Sequence, residues 1–186
     1  RRQHMCTSNL ENLDLSKEGL SNSSIASNSL LGDVLLAAKF EADFIKSNYN
    51  KQKNPKAATD LKDEEGICRA MKYSFADIGD ITRGKDFWEK NGDAKRLQGH
   101  LKEIFGKIKE KLHDESMKKI YEEDKDLYTK LREDWWEANR DQIWEAMQCP
   151  TSPSSPPRGN NTICSDTTPY DDYVPQRLRW MTEWAE

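Results

Sequence analysis

The chain has 186 residues, of which 35% are hydrophobic and 33% charged, with a mean hydropathy of -0.99, a net charge of -4 and a pI near 5.6. That balance supplies no general drive toward nucleic acid or an anionic membrane. No run approaches the roughly 18 apolar residues of a membrane span, and Arg1-Arg2-Gln3-His4 opens no apolar leader segment.

Residues 1–29 are rich in Ser and Asn and weakly periodic, which predicts an extended segment on the surface, with Ser29 as N-cap of the first long helix. In that helix Leu31, Leu35, Ala38, Ala42 and Ile45 share a face, and Leu30, Val34, Ala37 and Phe44 widen it. Asn48–Asp60 is a polar loop broken by Pro55. From Leu61 the helical period returns with Met71, Phe75 and Ile78, Gly79 weakening it and Gly84 ending it. Trp88 anchors the connector that follows. A third stripe runs through Leu97, Leu101, Ile104 or Phe105, Ile108 and Leu112.

Asp114 or Ser116 opens what reads as the longest helix, continuous to Cys149 and near 50 Å long at about 1.5 Å per residue. Its apolar tracks are Met117, Tyr121, Tyr128, Leu131, Trp135 and Ala138, and then Trp136, Ile143 and Met147. Trp135 belongs to the core stripe, whereas Trp144 falls off it and is the ring expected at the surface or between helices. Pro150 stops the helix, and residues 150–161 form a flexible Pro/Ser/Gly/Asn loop. A last helix begins near Tyr173, with Leu178, Met181 and Ala185 on one face and Trp184 beside them. No window alternates as a strand does, so the pattern is all-α.

Chemistry-bearing patterns are sparse. His4, His100 and His113 lack a second ligand at helical spacing, so surface histidines are expected. Acidic runs such as Asp63-Glu64-Glu65, Glu122-Glu123-Asp124 and Asp171-Asp172 read as solvated faces, not as paired acid/base groups. There is no nucleophile elbow and no phosphate loop, and no cofactor is implied. The chain therefore reads as non-enzymatic. Lys102, Lys107, Lys109, Lys111, Lys118 and Lys119 cluster across one turn. Neighbouring Glu and Asp make a solvated face the plain reading, and a patch for a sulphated glycan or acidic protein surface the sharper one.

The four cysteines, Cys6, Cys68, Cys149 and Cys164, include no CxxC pair. They fit two disulfides or four reduced thiols, and three pairings are possible.

Five blocks, in order, carry a family resemblance: RRQHMCTSNLENL, LLGDVLLAAKFEADFI, ICRAMKYSFADIGDITRGKDFW, REDWWEANRDQIWEAMQC and DYVPQRLRWMTEWAE. They resemble the Duffy-binding-like domains of the erythrocyte membrane protein 1 adhesins of Plasmodium falciparum, in a non-α subclass. The resemblance implies an antiparallel long-helix bundle with an extended N-terminal segment and long loops, stapled by disulfides. Residues 1–29 would be the subdomain 1-like segment. Residues 30–186 would be the subdomain 2-like bundle, running into the start of a third subdomain beyond Glu186. It also implies an oxidising extracellular setting on the infected erythrocyte surface, within a larger single-pass membrane protein. In that setting the expected pairing is Cys68–Cys149 with Cys6–Cys164, the first joining the start of one long helix to the end of another; Cys149–Cys164 closing a short loop is the alternative. The implied partners are a host receptor, of the intercellular adhesion molecule or immunoglobulin M class, possibly a sulphated glycan, and neighbouring domains of the same adhesin, with no nucleic acid. The matching blocks are scaffold, so the resemblance assigns no contact residue. An intracellular helical scaffold is the remaining alternative.

Overall fold

The structure, a computed structural model, describes residues 5–16, 19, 25–52, 61–87, 92–112, 114–124, 127–148, 164 and 167–185. It holds seven α-helices among those residues: α1 (Ser8–Glu11), α2 (Ala26–Gln52), α3 (Leu61–Arg83), α4 (Gly92–Glu110), α5 (Glu115–Ile120), α6 (Thr129–Gln148) and α7 (Gln176–Ala185). A 3-10 turn at Asp171–Tyr173 precedes α7, and no described residue is in a strand. No helix is long and apolar enough to cross a membrane. Trp88, His4, His113, Cys149 and the 150–161 loop lie outside the described residues.

The N-terminal segment is less extended than expected. It carries α1, and Leu10 and Leu13 enter the core. Helix α2 begins at Ala26, so Ser29 sits in its first turn and donates its backbone N–H to the Ile25 carbonyl at 2.9 Å rather than capping the helix. Along α2, Leu30, Val34, Ala37, Ala38, Ala42 and Ile45 are buried. Phe44, expected on the widened stripe, instead lines up with Leu36 and Phe40 at four-residue spacing on the outer face.

Helices α2, α3 and α6 form the central layer. Helix α3 runs antiparallel to α2, as Ser74 meets Glu41 and Gly66 meets Tyr49. It is antiparallel to α6 as well, since Arg83 meets Glu133 and Gly79 meets Trp136. The interior between them is aromatic. Phe75 lies 5.2 Å from Trp136 and 5.5 Å from Trp144, and Phe105 of α4 meets Trp135 edge-on at 5.9 Å. Trp135 is buried, as its stripe predicts, and its indole N–H donates to the Ser27 hydroxyl at 3.0 Å.

Trp144 takes the second of the two placements open to it: it is 1% exposed and lies between helices, against Phe75. Helix α6 packs on α2 along one side and α3 along another, so a ring off the first stripe lands in the second interface. The continuous rod fails. The chain breaks between α5 and α6 because side chains from elsewhere satisfy both helix ends. Lys109 donates to the carbonyls of Tyr121 and, at 3.4 Å, Asp124. The Asp124 carboxylate accepts from the Leu131 N–H at 3.0 Å, and Tyr128 adopts a left-handed φ of 51°. No Pro or Gly marks this break.

Helix α7 is inverted relative to expectation. Leu178, Met181 and Trp184 face outward, Trp184 being 93% exposed, whereas Gln176 and Arg179 are buried. The disulfide also differs from the expected pairing. Cys68 of α3 is bonded to Cys164, with Cα atoms 5.3 Å apart, and Cys6 is free. Helix ends can be placed from periodicity, but the return path of the segment carrying Cys164 cannot.

Candidate functional site

The arginines of α3, α6 and α7 explain why α7 turns a polar face inward. Asp172, 2% exposed, receives Arg140 on both carboxylate oxygens at 2.8 and 2.9 Å and the Trp136 indole N–H at 2.7 Å. Burial alone would pull Arg140 down, but its bonds to Asp172 and the surrounding negative charge outweigh this and hold it above the ordinary arginine value. Arg83 ties the Asp172 carbonyl (2.6 Å) to Asp80 (3.1 Å) and Glu133 (3.1 Å). Arg179 of α7 reaches both Asp77 and Asp80 of α3 at 2.6 Å. Gln176 binds Asp86 at 2.8 Å and accepts from the Phe87 N–H at 2.9 Å. A polar lock therefore fixes α7 and the 170–174 segment onto α3 and α6. Buried charges at this density are tolerated because nearly every one is paired.

Arg132 closes the far end of α3. It donates to the Thr82 carbonyl at 2.7 Å and the Ile81 carbonyl at 3.1 Å, a cation at a helix C-terminus. Gly84 ends that helix with φ +73°, and a Cβ there would meet the Arg132 guanidinium at 2.8 Å. This is the helix end that the sequence placed at Gly84.

The lock leaves outward-facing groups held from beneath. Tyr170 is 70% exposed and Tyr173 47%, with the Arg140 guanidinium 5.7 and 4.9 Å from their ring centres. The Tyr173 hydroxyl donates to Glu137, and burial together with that contact pushes it up to about 12. Beside them Phe87 lies exposed under Arg177 at 4.5 Å.

The lysine cluster does not form one free patch. Lys107 pairs with Glu103 at 3.1 Å, Lys109 is spent on the Tyr121 and Asp124 carbonyls just beyond α5, and Lys118 is half-buried. Lys102, Lys111 and Lys119 remain exposed. Cys6, half-buried, donates its backbone N–H to Glu41 at 2.9 Å, and burial and the Glu41 charge push its thiol up to about 11. Cys68 and Cys164 are spent in their bond. His100 is half-buried, and no metal-holding group of His, Cys, Asp and Glu occurs among the described residues.

Sequence reasoning missed the buried arginines. Their one legible signal is that Arg132, Trp136 and Arg140 repeat every four residues, which puts two cations on the face of a ring that has to be buried.

The described residues thus form a cross-linked helical scaffold whose buried charges hold it together and whose Phe87, Tyr170 and Tyr173 rings turn outward. The model of the Duffy binding domain matches residues 1–179, and the chain belongs to that family. It is 52% identical to an ICAM-1-binding DBLbeta domain of PfEMP1, with a TM-score of 0.83, over 100% of this chain and 41% of that one. It is 35% identical, with a TM-score of 0.75, to the NTS-DBL1(alpha-1) domain of the Plasmodium falciparum membrane protein 1 of the varO strain, over 99% of this chain and 42% of that one. It is 28% identical over 121 residues to the Duffy receptor gamma form of Plasmodium knowlesi, 65% of this chain and 9% of the receptor. The chain thus spans less than half of each relative. The identities agree with the expected non-α subclass.

Proposed function

We propose that this chain is the front part of a β-type Duffy-binding-like adhesion domain that engages a host receptor of the intercellular adhesion molecule class. The observation that carries the reading is the 52% identity, over the whole chain, to an ICAM-1-binding domain. In this reading the domain is displayed on the infected erythrocyte as part of a larger membrane adhesin and serves cytoadherence. Residues 1–29 act as its subdomain 1-like segment and residues 30–186 as the subdomain 2-like bundle. The test is surface binding. The chain, alone and within a full-length domain, is offered purified ICAM-1, immunoglobulin M and heparan sulphate at several salt concentrations. ICAM-1 binding by the full domain is the expected result. Binding of immunoglobulin M alone would replace this reading with immune evasion. Binding of heparan sulphate alone, weakening steeply with salt, would replace it with glycan adhesion through Lys102, Lys111 and Lys119.

A further inference from the structure

We propose that the cleft between α6 and the 167–170 segment takes a lysine or arginine side chain presented by a protein partner. The cleft encloses about 650 Å³, with Asp141, Glu145 and Gln148 of α6 on one side and Thr168 and Tyr170 on the other. The inference deepens the receptor-binding reading and rests on it.

Three observations give the cleft its preference. The first is charge. Asp141 and Glu145 stand one helical turn apart and both are exposed. The cation facing them is Arg140, whose guanidinium is committed to both Asp172 oxygens and to the Pro169 carbonyl, with Asp141 farther off at 3.8 Å. Arg140 and Asp172 cancel, and the carboxylates of Asp141 and Glu145 set the sign of the cleft. The second is an orphaned acceptor: the Gln148 side-chain oxygen is covered and has no hydrogen-bond partner among the described residues, and turning that amide into the cleft to meet an incoming N–H donor removes the penalty. The third is the Tyr170 ring, open to solvent on its outer side and held by Arg140 and by Tyr173 at 6.0 Å. A ring fixed before binding packs an aliphatic stem or a guanidinium at little ordering cost.

This chemistry separates the possible ligands. A sulphated glycan meets two carboxylates and is repelled. A bare metal ion finds two carboxylates and an aromatic wall, not the oxygen cage it needs. A long cationic side chain uses all three features, with charge on the carboxylates, donors on Gln148 and stem on Tyr170.

The test titrates the chain with a capped Leu-Arg-Leu-Arg-Leu peptide and its Leu-Glu-Leu-Glu-Leu counterpart. The first is expected to bind and the second not. Glu145→Lys, and Asp141→Lys combined with Glu145→Lys, should each weaken binding about tenfold or more, and Tyr170→Ala about fivefold. Glu122→Lys with Glu123→Lys makes the same net charge change elsewhere and should bind as the wild type does. Both charge-reversal pairs are checked by thermal melt; Glu145→Lys alone leaves in place the hydrogen bond that the Thr168 hydroxyl donates to Asp141 at 2.6 Å, and tests the cleft if the double variant unfolds. Absent peptide binding, or equal loss from the control pair, overturns the proposal. ICAM-1 is titrated in parallel with the full domain. Peptide binding that maps to the cleft without ICAM-1 binding sinks the receptor assignment alone. ICAM-1 binding without cleft-dependent peptide binding sinks this inference alone.

Discussion

Asp172 and Arg140 form a two-pronged ion pair at 2.8 and 2.9 Å inside the protein, with Trp136 donating to the same carboxylate. Replacing Asp172 with Ala strips the buried Arg140 of both its carboxylate bonds and the Trp136 indole N–H of its acceptor. The expected loss is about 3–5 kcal/mol in urea unfolding. A loss below about 1 kcal/mol would show that water enters the lock and satisfies both groups.

Gly79 and Gly99 make a matched pair. A Cβ at Gly79 would sit 2.8 Å from the fully buried Trp136 ring, whereas at Gly99 it meets nothing within 4 Å. Gly79→Ala should cost roughly 1–3 kcal/mol through overpacking. Gly99→Ala should gain up to about 1 kcal/mol from helix propensity. Equal melting shifts for the two would refute the packing of α3 on α6.

Acid stability divides between two carboxylates of opposite sign. Burial alone would raise Glu133, but the hydrogen bond from Lys85 and the charges of Arg83 and Lys85 outweigh it and hold Glu133 below the usual carboxylate range. Its contribution is present at neutral pH and lost as pH falls through that depressed value. Asp80 is raised, first by burial and then by the Asp77 charge, against the opposing pull of Arg179 and Arg83. Its contribution is full below the usual range and lost as pH rises through its raised value. Denaturant midpoints followed from about pH 7 to about pH 3 span both windows. Glu133→Gln should flatten the acid-side loss, and Asp80→Asn should remove the gain above it. The opposite pattern would invert both assignments.

The cysteines predict a contrast in reactivity. Reducing Cys68–Cys164, which spans 96 residues, should cost roughly 2–5 kcal/mol. With its thiol pushed to about 11, Cys6 should alkylate near pH 8 about a hundredfold more slowly in the folded protein than after unfolding. Mass spectrometry after timed iodoacetamide treatment reads this directly, and equal rates would place Cys6 in solvent.

Lys109 and Lys119 separate structure from surface. Lys109→Ala removes the donor that closes α5 and should lower stability by about 1–2 kcal/mol, since it strands the carbonyls it caps. Lys119→Ala, at an exposed position, should stay within about 0.5 kcal/mol. Comparable losses would mean that the α5–α6 break does not depend on Lys109.

Most of the helical content was legible because the apolar residues of α2, α3 and α4 repeat at helical spacing and the core follows those stripes. Gly84 marked its helix end for the same local reason, a backbone conformation that favours glycine. What was not legible depended on distant partners. The break before α6 needs Lys109 and Asp124, neither of which looks like a helix stop in the string. Trp144 was left between the surface and an inter-helix position because α6 has two buried sides, and a single stripe describes only one. Helix α7 was inverted because Arg179 and Gln176 gain more from Asp77, Asp80 and Asp86 than Leu178 and Met181 lose by exposure, a trade no local window contains. The lysine cluster fell apart because Lys107 pairs with Glu103 one turn away, which the spacing shows, and because Lys109 reaches the Tyr121 and Asp124 carbonyls, which it does not. The Asp141–Glu145 spacing was visible throughout, but the Tyr170 wall that makes it a cleft comes from a segment more than twenty residues away.

The Cys68–Cys164 bond gives the molecule a ring closed through sulfur, and the Pro/Ser-rich stretch 150–161 lies within that ring. A host protease that nicks the stretch once yields two polypeptides still joined covalently, with Asp172 and α7 tethered to the piece that carries α3. That segment can therefore be cut without releasing the element that completes the polar lock.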